Sequence, residues 1–245
     1  MGNSNFKYKD QPCAWCGGQY YDKAHVPTKF LIPKEERNNQ NWPILPSCRE
    51  CNEGLKLDEE WFAIHFASSL YGYSKVAQRM FDGPITKHFQ NSKSIAARYN
   101  KYLSLVELRV NGKSQGIKTR INISDEDWKR IEHVAEMFVR GLYYWHSNKS
   151  AKDLKAKIVY LTPARFKSFI GNIRTLKIIP LFPVTFEYSY GIIEETGEAA
   201  FVIMIYNKPC FQILLTTTDR HEKMEHKVKS GEIVPKNDAG IEILG

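Results

Sequence analysis

No apolar run in this 245-residue chain approaches the roughly 18 residues needed to cross a bilayer, which argues against a helical membrane span. Its opening residues, "MGNSNFKYKDQP", lack the apolar core of a secretory signal. They begin Met-Gly, yet Phe6 stands where a myristoylation signal carries Ser or Thr. Internal repeats and low-complexity segments are missing as well. Hydrophobic residues at 42% and aromatics at 13% are too many for a disordered chain. The expectation is a soluble, cytoplasmic protein with no membrane partner, long enough for one large domain or two small ones.

Cysteine is scarce but not scattered. Of the five cysteines, Cys13-x-x-Cys16 and Cys48-x-x-Cys51 form two tight pairs, while Cys210 stands alone in a strand-like run. Two C-x-x-C pairs in a chain of this kind read as metal ligands rather than as a disulfide framework. Four thiolates close a tetrahedral structural zinc site, because each tight turn brings two sulfurs onto one ion. Such a site staples a segment too short to bury a core of its own. Cys210 reads as a small buried apolar residue.

Acidic residues are scarce in two stretches. From Met1 to Gly83 ten Lys/Arg balance ten Asp/Glu. From Pro84 to Arg120 the basic residues Lys87, Lys93, Arg98, Lys101, Arg109, Lys113, Lys118 and Arg120 face Glu107 alone. From Lys149 to Lys177 the basic residues Lys149, Lys152, Lys155, Lys157, Arg165, Lys167, Arg174 and Lys177 face Asp153 alone. Positive charge gathered in two blocks of a chain with net charge +8 is the footprint of a polyanion binder, and equally the pattern of two solvated helix faces.

The local patterns are mixed. "QYYDKAHV" reads as a strand, "IPKEERNNQN" as a loop and "WPILP" as a short second strand, with helix following Cys48 through "LDEEWFAIHFASSLYGY". "SIAARYNKYLSLVEL", residues 94–108, carries helical spacing, and "RVNGKSQGIKTRINI" reads as a hairpin turning at Asn111-Gly112. Ser124 followed by Asp127 starts a helix, on which Trp128, Ile131, Val134, Ala135, Phe138, Val139 and Leu142 recur on one face. Thr162-Pro163 opens another helix running to about Leu176. From Lys177 the period becomes two, and three strand-like runs turn at Thr196-Gly197 and Asn207-Lys208-Pro209, an antiparallel meander. The charged tail from Asp219 reads as mobile as far as "IEILG". The fold class is α+β, a small metal module leading a larger mixed domain.

His25 follows the first cysteine pair in "CAWCGGQYYDKAHVP". It could be a zinc ligand, a buried structural histidine or a base. Four cysteines saturate a zinc ion without it, and Tyr21, Lys23 and His25 share a polar strand face, so a base at neutral pH is the candidate role. Among the other histidines, His65 in "WFAIHFA" reads as a core residue, and His146 ends a helix where a cation suits the dipole. His88, His133, His221 and His226 have no constellation around them, and Trp15 reads as packing on the cysteine module.

"KAHVPTKFLIPK" and "NWPILPSCRECNEGLKLDEEWF" together resemble the HNH nucleases, in the zinc-stapled form where two C-x-x-C pairs brace a ββα-metal hairpin. The resemblance covers about residues 11 to 60, and "FVRGLYYWHS" with "FVIMIYNKPCFQILL" extends it more weakly to small bacterial proteins of the His-Val-Pro type. It implies a ββα-metal module over 1–60 and a helical and β-meander domain over 61–245 that binds nucleic acid or regulates the module. It further implies hydrolysis of phosphodiester bonds in DNA, with His25 as general base, Asn41 orienting it, Asn52 as ligand of a catalytic Mg²⁺ or Mn²⁺, and Cys13, Cys16, Cys48 and Cys51 on structural zinc. Duplex DNA is the expected substrate, with single strands and RNA left open. A homodimer would suit a double-strand break, a partner protein could dock on the C-terminal region, and relatives of this kind serve in restriction or other anti-phage defence. The chain departs from the pattern at Ala24, where many HNH sequences carry a metal-binding residue. Asp22, on the same strand face roughly 7 Å away, is the available substitute. The alternative function is a catalytically impaired zinc protein of HNH type that binds nucleic acid or a partner protein.

Overall fold

Two short strands meet first: β1, Asp22–His25, pairs antiparallel with β2, Ile44–Ser47, in a register that sets Asp22 opposite Ser47 and His25 opposite Ile44. The computed structural model describes residues 11–110, 113–161, 177–229 and 241–244. Between β1 and β2 the chain makes two single 3₁₀ turns, Lys29–Leu31 and Lys34–Glu36, so the expected loop is partly ordered by its own backbone. Cys48 then caps α1, Arg49–Gly54, its Sγ accepting from the Cys51 N–H at 3.4 Å. After Leu55 the chain continues as α2, Lys56–Ser69, whose residues Trp61 to Ala67 are all buried.

Shorter helices follow: α3 (Lys75–Met80), one π turn over Phe81–Ile85 that takes up Pro84, α4 (Thr86–Asn91) and α5 (Lys93–Lys101). The helical spacing expected to continue to residue 108 stops at Lys101. Residues Leu103–Val110 instead form β3, which pairs with β4, Lys113–Ile121. The segment "LSLVELRV" alternates as well as it spirals, and the non-local ladder to β4 decides between two periods that a short apolar run cannot separate. The Asn111-Gly112 turn lies outside the described residues, as does the helix expected from Thr162 to Leu176.

The long amphipathic helix is as its pattern implies. α6 spans Asp125–Ser147, with Ser124 Oγ accepting from the Asp127 N–H at 3.1 Å and Asn148 ending it in the left-handed conformation. Its apolar stripe lies between α2 and a five-stranded antiparallel sheet. That sheet comprises β5 (Lys155–Tyr160), β6 (Ile179–Phe182), β7 (Phe186–Ile192), β8 (Ala199–Ile205) and β9 (Lys208–Thr216), in the order β5-β9-β8-β7-β6. The meander is therefore present, with β5 added at its edge. Its last turn falls one residue early: Ile205 pairs with Lys208, and the two loop residues, Tyr206 and Asn207, both adopt positive φ, which matches the twist of the flanking strands.

The first part of the tail, expected to be mobile, is helical, and residues 230–240 lie outside the described residues. Thr218–Lys229 forms α7, and Ile241–Leu244 forms β10, which pairs with β3. Glu198, 4% exposed, accepts from the Thr217 N–H at 3.0 Å and pairs with Arg220, and Lys157 of β5 pairs with Glu225. Those contacts hold a helix whose own sequence is mostly charged. Phe62 of α2 packs on Phe138 of α6 (5.4 Å between centroids) and on Phe211 of β9 (6.1 Å), so one apolar cluster runs from Cys13 to Leu215. The boundary drawn near residue 60 falls inside α2. No helix among the described residues is long and apolar enough to cross a membrane.

Candidate functional site

The sulfurs of Cys13, Cys16, Cys48 and Cys51 all lie within 4.8 Å of one another, with Cys16 and Cys48 at 3.6 Å. Four Zn–S bonds of the usual length set tetrahedral sulfurs about 3.8 Å apart, so the cluster has the size and donor set to hold a zinc ion. Local backbone builds it. Gly17, at φ +75°, turns the first pair back on itself, and its N–H donates to the Cys13 carbonyl at 2.9 Å. At Gly18 the N–H donates to Cys16 Sγ at 3.3 Å, where a side chain would crowd that sulfur. The Cys13 thiol is pulled down to about 4, chiefly by its hydrogen bond with Cys51, and the same contact pushes the Cys51 thiol up. One thiolate supported by a neighbouring thiol is the arrangement a soft cation completes.

Beside the sulfur cluster, with Cys51 as a shared wall, lies a cavity with room for about one water, whose walls also include Ala24, His25, Asn52, Leu55, Glu59 and Phe138. β1 delivers His25 and α1 delivers Asn52, so the two residues that the sequence singles out as base and metal ligand share one cavity. His25 is half-buried, its ring edge-on to Trp42 with centroids 4.7 Å apart. Trp42 is itself fixed, since its Nε1 donates to the Pro27 carbonyl at 3.0 Å and its ring meets Phe182 at 5.0 Å. Burial, with Lys29 and Lys23 adding to it against Asp22, lowers the His25 pKa to about 4. The imidazole is neutral at pH 7.

Compared with family models, curated proteins and solved structures, the chain has no match. The pocket has to be read from its own residues.

Two predicted residues stand elsewhere. Asn41 is exposed, its backbone N–H donating to Asn39 Oδ1 at 2.9 Å, and the side chain against the His25 ring is that of its neighbour, Trp42. Asp22 is also exposed and accepts from the Lys23 N–H at 2.7 Å. It sits opposite Ser47, three residues and about 10 Å along the strand from His25, which takes it away from the pocket it was expected to serve.

Glu59 is the pocket residue that the sequence analysis does not single out. It follows Asn52 by seven residues, two helical turns, a spacing that puts both on one face and could have flagged it. Thr28 Oγ1 donates to Glu59 Oε2 at 2.9 Å. Burial, with Glu60 and Asp58 nearby, pushes the Glu59 carboxyl up to about 7 against that hydrogen bond.

The basic blocks divide on folding. Arg98 pairs with the buried Asp127, and Lys157 pairs with Glu225, so both serve the fold. Lys87, Lys93, Lys101, Lys113, Arg120, Lys149, Lys152 and Lys155 are exposed, while Arg165, Lys167 and Arg174 lie outside the described residues. Of the other histidines, His65 is buried in the core as expected. His146 differs: it stacks on Tyr190 at 3.9 Å and shares a 2.8 Å hydrogen bond with the Tyr188 hydroxyl, and burial lowers its pKa, so it is a packed neutral ring and not a cation at the helix end.

Proposed function

We propose that this chain is a metal-dependent endonuclease of HNH type that hydrolyses phosphodiester bonds in DNA. The observation that carries the reading is the meeting of His25 and Asn52 in one pocket, on a strand, strand and helix frame held by four clustered cysteines. His25 is the general base: a neutral ring nitrogen takes a proton from water as the water oxygen attacks phosphorus and the bond to the 3′-oxygen breaks. Trp42 keeps the ring from turning away. A phosphate bound against the open edge of the half-buried His25 ring would raise its pKa from about 4 towards working pH, so that the bound site holds a stronger base than the free one. Asn52 offers its amide oxygen to a hard divalent cation, Mg²⁺ or Mn²⁺, which when bound supplies charge stabilisation at the scissile phosphate and the departing oxygen. Zinc on the four cysteines holds the frame. The exposed lysines and arginines contact the phosphate backbone without reading bases, which makes binding salt-sensitive. A place in restriction or anti-phage defence follows from the family resemblance.

A second reading is favoured by Ala24 and by the position of Asp22: a zinc-stabilised protein that binds nucleic acid without cutting it. Plasmid nicking in Mg²⁺ or Mn²⁺ separates the two. Wild type is expected to cut, and His25→Ala to lose at least a hundredfold in rate with its zinc intact. Equal cutting by both would remove His25 from the mechanism. Retention of DNA binding by a wild type that cuts nothing would favour the binding protein.

A further inference from the structure

A cleft of about 630 Å³ opens between the last turn of α6 and the turn that joins β7 to β8. Tyr143 of α6 lines it and is 3% exposed, yet its hydroxyl makes no hydrogen bond among the described residues. Gly197, in the β7–β8 turn, keeps that hydroxyl uncovered, because a Cβ there would stand 3.1 Å from it. A buried hydroxyl without a partner costs the fold, and here it faces a space large enough for a small molecule. We propose that this cleft binds a nucleoside monophosphate unit, supplied either as a free nucleotide or as an unpaired nucleotide of a strand.

One wall is fixed before anything binds. The His146 ring stacks on Tyr190 with centroids 3.9 Å apart, and Tyr190 stacks in turn on Phe201 at 5.8 Å. His146 Nε2 also shares a 2.8 Å hydrogen bond with the Tyr188 hydroxyl. His146, Tyr190 and the 46% exposed Ile193 therefore offer a rigid, largely apolar wall to a flat ring. The Tyr143 hydroxyl both donates and accepts, so it suits the polar edge of a base. Two charges complete the lining. The exposed Lys149 ammonium, without an ion pair among the described residues, matches a phosphate. The Glu194 carboxylate accepts from ribose hydroxyls or base N–H groups. A free amino acid would meet both charges but fill only a small part of the volume, and a bare phosphate would leave the apolar wall wet. The inference concerns binding alone and does not rest on the nuclease reading.

The rival is a solvent cleft in which the Tyr143 hydroxyl holds only water. Calorimetric titration of zinc-loaded full-length protein separates the two, with no Mg²⁺ or Mn²⁺ added so that no strand is cut. The probes are the ribonucleoside 5′-monophosphates of the common bases and short single-stranded DNA and RNA oligonucleotides. Wild type is expected to bind at least one probe with a Kd below roughly 1 mM. Tyr143→Phe, which removes one oxygen and leaves the ring in place, is expected to weaken that probe by about threefold or more. Lys149→Ala is expected to do the same, through the phosphate. Because the hydroxyl has no partner in the free protein, Tyr143→Phe should melt at or above the wild-type temperature. Loss seen with a free monophosphate identifies a nucleotide pocket, and loss confined to oligonucleotides identifies a strand site; either supports the proposal. A wild type that binds no probe, a change below about threefold in either variant, or a Tyr143→Phe protein that melts lower overturns it. Plasmid nicking is scored separately. Wild type that nicks but binds no probe loses the cleft and keeps the nuclease reading, and binding without nicking does the reverse.

Discussion

Gly141 of α6 lies so close to Val26 that a methyl group at its Cα would stand 2.7 Å from Val26 Cγ2, and 3.0 Å from Leu45 Cδ1. Val26 follows the candidate base directly and Leu45 belongs to β2, so the long helix presses its backbone against the hairpin that carries His25. Trp15, between the two cysteines of the first pair, adds a 2.8 Å hydrogen bond from its Nε1 to the Met137 carbonyl one turn earlier. The cysteine module and α6 are therefore one packed unit.

Gly141→Ala should be destabilising despite the better helix propensity of alanine. The propensity gain is about 1 kcal/mol, while forcing a methyl group into a close-packed contact costs about 1–3 kcal/mol. Val26 must shift, and it carries β1 with it. Urea denaturation is expected to give a lower midpoint for the variant, and nicking should fall more than stability does. A midpoint at or above wild type would mean that the hairpin and α6 are not in this contact.

Cys48→Ser removes one donor of the four and weakens the cap of α1. The apparent free energy of a structural zinc site, about 10–16 kcal/mol in small zinc modules, is as large as the whole stability of an ordinary domain. Wild type is expected to carry one zinc per chain by elemental analysis, and Cys48→Ser less than a tenth of that. A strong chelator should lower the melting temperature of wild type and leave that of Cys48→Ser unmoved. Wild-type protein that is metal-free yet melts identically would rule out the staple.

His65 provides a test in pH. It is buried, and desolvation holds its pKa down at about 4 against an ordinary value of 6.5. Between those values the unfolded chain binds the proton and the folded one does not, so stability is present above pH 6.5 and is lost as pH falls through 4. The loss attributable to this residue is at most roughly 1.4 kcal/mol per pH unit across that window. His65→Leu, similar in volume and with no proton to bind, is expected to flatten the decline in stability between pH 6.5 and 4. An unchanged slope would show that His65 is charged or solvated when folded.

Much of this architecture is visible in the residues themselves. The two C-x-x-C pairs announce the sulfur cluster, because a cysteine pair closes over two residues whatever surrounds it. Ser124, Asp127 and the stripe from Trp128 to Leu142 announce α6, since capping and a 3.6-residue period are local properties. The meander is equally legible from its alternation. Residues 103–108 were not, because "LSLVEL" fits either period and only the partner strand chooses. α7 was not, because its anchors, Glu198 and Lys157, are far away in sequence.

The same division runs through the candidate site. Sequence alone nominated His25 and Asn52, whose spacing from the cysteines is set by one short hairpin and the helix after it, all within local reach. The tertiary structure decided what surrounds them. It set Trp42 rather than Asn41 against the His25 ring, left Asp22 exposed and off the pocket walls, and brought Glu59 in from α2. Cysteine spacing and helix caps are decided by bonds between near neighbours in the chain. The walls of a pocket are decided by which distant surfaces exclude water together, and here α6 closing over the hairpin at Gly141 makes that choice.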